Sequence, residues 1–242
     1  MSARTPVDVV IPTDRRHPFL YSAVQSARQQ HNADVHVIVV DDGSSDAVWE
    51  QVESWSLPGV SVMRHNRNRG AGAARNTGVS LGSRPWLGFL DSDDLWPHHR
   101  TEQLVATAVS NDALLIGQQQ IFDATGAPNP ADSYSAVGEG TAMLAGAMLF
   151  PRTVMEALGP FDEDLVLGEF VDWMRVARDR AVREQHIRCV SLLRRSHAAN
   201  ITRTRVDAHR DYLTVIARAR RDRGLSPEAT SANTVKNNVP TQ

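Results

Sequence analysis

Three apolar runs in the first hundred residues each end on a polar cluster: residues 7–12 before Thr13-Asp14, residues 35–40 before Asp41-Asp42-Gly43-Ser44, and residues 86–90 before Asp91-Ser92-Asp93-Asp94. A run of this length reads as a strand buried on both faces, and its polar end is where the chain presents chemistry at a sheet edge. Between the runs, Leu20, Val24 and Ala27, then Val48, Val52 and Trp55, recur at helical spacing. This alternation predicts βαβ units and a mostly parallel sheet, whose strands point their carboxyl ends the same way and bind ligands outside those ends. Three such ends, two with acidic pairs, would line one crevice suited to a cation or a cation-neutralised anion.

Downstream, the pattern predicts a helix over residues 96–110 with Leu104, Val105 and Ala108 on one face, a strand over 113–121 and a loop over 123–140. A short helix over 153–158 closes on Gly159-Pro160, a further helix covers 169–181, and a strand over 187–193 runs into Arg194-Arg195-Ser196-His197. A last helix, 205–223, sets Val206, Leu213, Ile216 and Ala217 on one stripe and arginines on the other. Its first reading is a docked helix with a solvated basic face; contact with an anionic membrane surface or a lipid-linked acceptor is the second. Residues 226–242 are polar with almost no aliphatic content and read as disordered.

With 242 residues and 41% hydrophobic content, the chain can bury one large core but hardly two independent ones. Its 26 basic and 28 acidic residues give a net charge of −2, which argues against a nucleic-acid partner. The single cysteine, Cys189, rules out an internal disulfide and a four-cysteine zinc site. No apolar run approaches the roughly 20 residues that span a bilayer, and the N-terminus enters a strand without a separate signal-type apolar region. The sequence therefore reads as cytoplasmic.

Asp91 and Asp93 stand two apart at a strand end, where alternation would aim both carboxylates at one ligand; oxygen donors of this kind favour Mg²⁺ or Mn²⁺ bridging diphosphate oxygens. The competing reading makes Asp93 or Asp94 a cap for the helix starting near Trp96-Pro97. Asp42 sits in a turn after a strand, where a fixed carboxylate can accept the N3–H of uracil or thymine, a proton that cytosine lacks. The run Gly70-Ala71-Gly72-Ala73-Ala74-Arg75 begins like a dinucleotide fingerprint, but six polar residues separate it from the preceding strand and Arg75 replaces the third glycine. Its small residues instead let a helix end approach a ligand that Arg75 reaches with a permanently charged planar donor, or let the helix pack tightly.

Taken in order, Val9-Val10-Ile11-Pro12-Thr13, Val39-Val40-Asp41-Asp42-Gly43-Ser44-Ser45-Asp46, Asn68-Arg69-Gly70-Ala71-Gly72-Ala73-Ala74-Arg75-Asn76, Phe89-Leu90-Asp91-Ser92-Asp93-Asp94 and Gly168-Glu169 onward make the chain resemble inverting glycosyltransferases of family 2. The resemblance covers about residues 1–200. It implies an α/β GT-A fold, a Rossmann-like mostly parallel sheet flanked by helices with a C-terminal helix. It also implies a UDP- or dTDP-sugar donor, Mn²⁺ or Mg²⁺, and an unidentified acceptor. Pro12, Thr13, Asp42 and Arg75 would surround the nucleoside, Asp91 would approach its ribose and diphosphate, and Asp93 would ligate the metal with Asp91. The expected organisation is one domain over 1–224, with a nucleotide-binding half at 1–110, an acceptor half at 111–203, the helix at 204–224, and a tail at 225–242.

Family members often open the acceptor-side helix with a Glu-Asp pair whose aspartate is the base; here Phe170 stands in that place, so Glu169 and Asp172 are both candidates, on one helical face. His197, with Asn200 three residues on, matches a C-terminal His-x-x-Asn pattern and would complete the metal or diphosphate site. Two other classes compete: a catalytically silent nucleotide-sugar-binding partner protein, and a nicotinamide-dependent oxidoreductase on a similar sheet.

Overall fold

The computed structural model describes residues 4–14, 18–110, 112–123, 136–141, 144–165, 168–197 and 207–222. The first half is the anticipated alternation: β1 (Thr5–Thr13), α1 (Leu20–Arg28), β2 (Ala33–Asp41), α2 (Asp46–Glu53), β3 (Val60–Arg64), α3 (Ala71–Leu81) and β4 (Trp86–Phe89). β1 lies between β2 and β4 and β3 lies outside β2, all parallel, with Thr13 level with Asp41 and Val10 level with Phe89. The polar run ends therefore do meet at one edge.

Both faces of this sheet are covered. Val7, Val9 and Ile11 pack with α1, whereas Val10, Ile38 and Val40 pack with Ala74 of α3. Each such fully buried aliphatic contributes about 1.5–3 kcal/mol relative to exposure. Asp8, which interrupts the first run, is also wholly buried, and it is paired rather than stranded: Arg152 Nη2 and the Arg84 N–H each donate to its Oδ2 at 2.7 Å, and His36 Nδ1 lies 3.0 Å from its Oδ1.

The second half turns antiparallel. It contains α4 (Arg100–Ala106), β5 (Leu114–Asp123), β6 (Ala136–Thr141), a 3₁₀ turn (Ala145–Ala147), β7 (Met148–Pro151), α5 (Arg152–Leu158), α6 (Glu169–Asp179), β8 (Glu184–Ser196) and α7 (Asp207–Asp222). The sheet order is β3-β2-β1-β4-β7-β5-β6, with β8 alongside β5 in parallel. A pin anchors α4 to the sheet: the fully buried Arg100 stacks 3.6 Å over Trp96 and donates to the carbonyls of Ser191, Gly146 and Met148. Burial pushes its guanidinium pKa down to about 9.

Three expectations change. The helix foreseen over 96–110 shortens to α4, because Trp96 precedes Pro97 and is disfavoured in helical geometry, and because Leu95 exchanges hydrogen bonds with Leu193. The Trp96 indole donates to Gly146 O at 2.9 Å, so this stretch is extended and pinned across the molecule. The loop foreseen over 123–140 yields β6, which pairs antiparallel with β5 along an edge that would otherwise be open; residues 124–135 lie outside the described residues. On α7 the stripe is misread: Val215 is buried while Ile216 is 49% exposed and Ala217 is exposed. Val206, the Leu213 side chain, Asn200 and the tail at 225–242 lie outside the described residues. No helix among the described residues is long and apolar enough to cross a membrane.

Candidate functional site

The crevice begins where β1 and β2 end. Pro12 is half-buried, Thr13 is buried, and the Thr13 carbonyl accepts the Asp42 N–H at 2.6 Å. Gly43 turns the chain with φ 77°, and a Cβ there would stand 2.5 Å from the backbone of Arg67 and Asn68, so only glycine satisfies both the turn and the approach. The Asp42 carboxylate is itself enclosed. Its Oδ1 lies 2.7 Å from His65 Nδ1 and accepts from Arg69 N–H at 2.9 Å, and its Oδ2 accepts from Gly70 N–H at 2.7 Å. The Arg69 N–H is shared with Oδ2 at 3.0 Å, so each carboxylate oxygen already faces two donors. The far nitrogen of His65 lies 2.9 Å from Thr77 Oγ1, so Asp42 closes the 65–70 loop onto α3. Beside it, Arg64, His65, Asn66, Arg67 and Arg69 line a basic cleft of about 390 Å³.

α3 brings Arg75 under this edge. Gly72 makes that possible, since a Cβ there would stand 3.2 Å from Asp162 O and 3.4 Å from the Glu169 side chain, where α6 begins. Arg75 is buried and bridges two carboxylates: Nη1 donates to Glu169 Oε1, and Nη2 donates to Asp91 Oδ1 at 2.9 Å. Burial works to lower the Arg75 pKa, but Glu169 and then Asp91 outweigh it, so the guanidinium stays above its ordinary value. Glu169 is 6% exposed, and among the described residues its buried Oε2 has no hydrogen-bond partner; Arg75 Nε is likewise unpartnered. The small residues of α3 thus serve tight packing, for Gly78 also faces the Val10 side chain.

Asp172 is elsewhere engaged. Although it shares the first turn of α6 with Glu169, its Oδ1 accepts Arg175 Nε at 3.0 Å and its Oδ2 faces Arg218 of α7 at 3.4 Å. Arg218 also donates to Asp162 at 2.6 Å, so Asp172 belongs to the docking of α7. Phe170 is buried with Phe150, Phe161 and Trp173, in a place where a carboxylate would be desolvated among aromatic rings.

The acidic run after β4 is not an extension of the strand. β4 stops at Phe89, and Asp94 N–H closes a turn on Asp91 O at 3.1 Å, so strand alternation does not reach Asp91 and Asp93. Their carboxylates take different partners: Asp91 faces Arg75, while Asp93 Oδ2 lies 3.0 Å from His197 Nε2. Asp94 points inward, accepts the Arg195 N–H at 2.8 Å, and has its pKa raised by burial and then by Asp93 and Asp91. Neither Asp93 nor Asp94 caps a helix, because α4 starts only at Arg100 behind His99. Arg195 is scaffold: it is buried, lies 3.9 Å over Phe19 and 4.8 Å over Phe122, and donates to Asp93 O at 2.8 Å.

The three sequence-chosen metal donors are only partly assembled. Asp93 and His197 meet, but Asp91, Asp93 and His197 are not a group with all donor atoms within 4.8 Å of one another. The donor set still fits a hard cation that takes one or two carboxylates and completes its shell with phosphate and water. Sequence reasoning missed His65 and Glu163; the latter accepts Arg69 Nη2 at 2.7 Å and Asn76 Nδ2 at 3.1 Å across the crevice rim. No local pattern marks either residue.

Comparisons with known proteins bear on the family and the fold. The UDP-Glc:alpha-D-GlcNAc-diphosphoundecaprenol beta-1,3-glucosyltransferase WfaP of Escherichia coli is 27% identical over 116 residues, 48% of this chain and 43% of that protein. The succinoglycan biosynthesis protein ExoO of Rhizobium meliloti is 38% identical over 86 residues, 36% of this chain and 25% of that protein. The matches thus span less than half the length of these curated relatives. The crystal structure of S. aureus TarS 1–349 in complex with UDP-GlcNAc superposes with a TM-score of 0.67 at 16% identity, covering 88% of this chain and 66% of that one, a likeness of fold. The glycosyl transferase family 2 model matches residues 8–184, and the chain belongs to that family.

Proposed function

We propose that the chain transfers a sugar, with inversion at the anomeric carbon, from a UDP- or dTDP-sugar to an acceptor that remains to be identified. The observation that carries this reading is the Glu169–Arg75–Asp91 bridge, which joins the candidate base to the donor side through one buried guanidinium. In this reading Glu169 Oε2, buried and unpartnered, takes the acceptor proton. The acceptor oxygen bonds to the anomeric carbon as the bond from that carbon to the diphosphate oxygen breaks, and the nucleoside diphosphate leaves with the electron pair. Arg75 fixes the carboxylate through Oε1 and keeps a positive charge near the departing diphosphate. Mn²⁺ or Mg²⁺, held by Asp93 with His197 and Asp91, would supply further counter-charge for the leaving group.

Uridine is favoured by what the relatives are named for: WfaP uses UDP-Glc, and TarS is seen with UDP-GlcNAc and with UDP. In the same reading Pro12, Thr13, Asp42 and Arg75 border the nucleoside, with residues 1–110 as the nucleotide half and 111–203 as the acceptor half. In this reading the main work of Asp42 is to hold the 65–70 loop beside the basic cleft.

A thermal-shift panel of UDP, dTDP, GDP and their sugars, with Mn²⁺ or Mg²⁺, tests the assignment on the parent and on Asp93→Ala. UDP with metal should raise the parent melting temperature, GDP should not, and the metal-dependent part should vanish in Asp93→Ala. An equal metal-dependent shift in the variant removes the metal assignment. Protection by NAD where UDP gives none would overturn the nucleotide-sugar assignment.

A further inference from the structure

We propose that His31, His99 and Glu102 form a second metal site, selective for a transition ion of the zinc class, at the end of the sheet away from the donor crevice. His31 and Asn32 precede β2, and Asn32 O accepts the N–H of Thr5, the first residue of β1; this is the edge opposite to Thr13 and Asp41. His99 and Glu102 come from the start of α4. None of these residues takes part in the crevice.

The geometry is convergent. Both His31 Nδ1 and His99 Nδ1 face the same oxygen, Glu102 Oε2, at 2.9 and 3.2 Å, and the three donor atoms all lie within 4.8 Å of one another. Tetrahedral donors at ~2.0–2.2 Å from a zinc ion stand ~3.3–3.6 Å apart, so small rotamer adjustments would close the shell. Two imidazoles and one carboxylate are a borderline donor set that suits zinc, cobalt or nickel and not magnesium. A third ring, His98, flanks both imidazoles with ring centroids 5.8 Å from His31 and 4.9 Å from His99, and water would take the remaining position.

The cluster is also preorganised and open. His31 N–H donates to His98 O at 2.9 Å, Gln30 Nε2 donates to Pro97 O at 2.9 Å, and Gln30 Oε1 accepts both the N–H and the hydroxyl of Thr101. These bonds hold the loop after α1 against the start of α4, so the donors sit on fixed backbone. The side chains of His31 and His99 are 45% and 54% exposed, which gives an ion direct access. An ion here would staple the α1–β2 connection to α4.

The test is a titration of tag-free protein with CoCl₂, read by visible absorption, followed by displacement with ZnCl₂ in excess Mg²⁺. The parent and Asp93→Ala should each show this cobalt site. The double variant His31→Ala/His99→Ala should bind it at least as weakly as the ~10–100-fold loss known for removing mere supporting groups. Thermal unfolding of each variant without metal checks that it is folded, and ZnCl₂ should raise the melting temperature of the parent and not of the double variant. Absence of cobalt binding by the parent overturns the site, leaving only a hydrogen-bonded cluster. So does cobalt binding that survives the double substitution made in the Asp93→Ala background, or that is lost in Asp93→Ala alone.

Discussion

Asp42 and Glu169 are both buried carboxylates at the crevice, 3% and 6% exposed, yet they are satisfied very differently. Asp42 accepts from three N–H donors and fixes a loop, whereas Glu169 has one oxygen on Arg75 and another with no partner among the described residues. A buried acceptor left unpaired costs about 1–3 kcal/mol, so a fold keeps one only where the surroundings hold it in place. Arg75, Gly72 and the first turn of α6 do so here. The contrast separates a carboxylate that builds the site from one whose chemistry is still available.

Glu169→Gln should have the largest effect. An amide can still give its oxygen to Arg75, so UDP-sugar affinity should persist while single-turnover transfer falls by about 10²–10⁴-fold, the range for general base catalysis. Normal transfer by this variant would remove the base from α6 position 169. Asp42→Asn should act next, and through stability. An amide nitrogen would face N–H donors that now meet a carboxylate oxygen, so chemical denaturation should show a loss of about 2–4 kcal/mol, more than for Glu169→Gln. If instead Asp42→Asn is as stable as the parent but no longer prefers UDP over CDP, Asp42 is a reader of the base before it is a brace.

The strands were legible because their runs are continuous and buried on both faces, so no partner had to be known to recognise them. For the candidate site, the sequence brought its residues to one edge of the sheet but did not show how they are arranged there. Asp91 and Asp93 were paired by strand alternation, yet the chain leaves the strand at Phe89 and turns. Glu169 and Asp172 share a helical face, and spacing alone says nothing of what packs there: Arg75 reaches one and Arg218 the other. His65 meets Asp42 across 23 positions, Glu163 meets Arg69 across 94, and Arg100 is buried among carbonyls; such pairings exist only after folding.

Asp172→Asn sharpens the comparison within α6 and should cost less than either substitution above. Asp172 is buried, but an amide oxygen can still accept from Arg175, and Arg175 and Arg218 keep Asp179, Asp222 and Asp162 as partners, so the loss should be about 1 kcal/mol. Transfer should stay within several-fold of the parent. A dead Asp172→Asn beside a nearly active Glu169→Gln would reverse the two roles.

The smallest effect concerns the dock of α7 and is read through acid. Partial burial works to raise the Asp162 pKa, but the Asp164 N–H and Arg218 together lower it below its ordinary value. A carboxyl whose folded pKa lies below its unfolded value stabilises the fold above the unfolded value and loses that contribution as pH falls through the folded one. The window is therefore acidic, beginning near the ordinary aspartate value of about 3.9 and extending below it. Hydrogen exchange over Asp207–Asp222 should show protection falling as the pH is lowered through that window. Arg218→Ala should give weaker protection at neutral pH and a shallower acid decline, since only the Asp164 contribution remains. An unchanged acid profile in Arg218→Ala would mean that α7 is held by Val215 and its apolar contacts, and that the ion pairs to Asp162 and Asp172 add nothing to its docking.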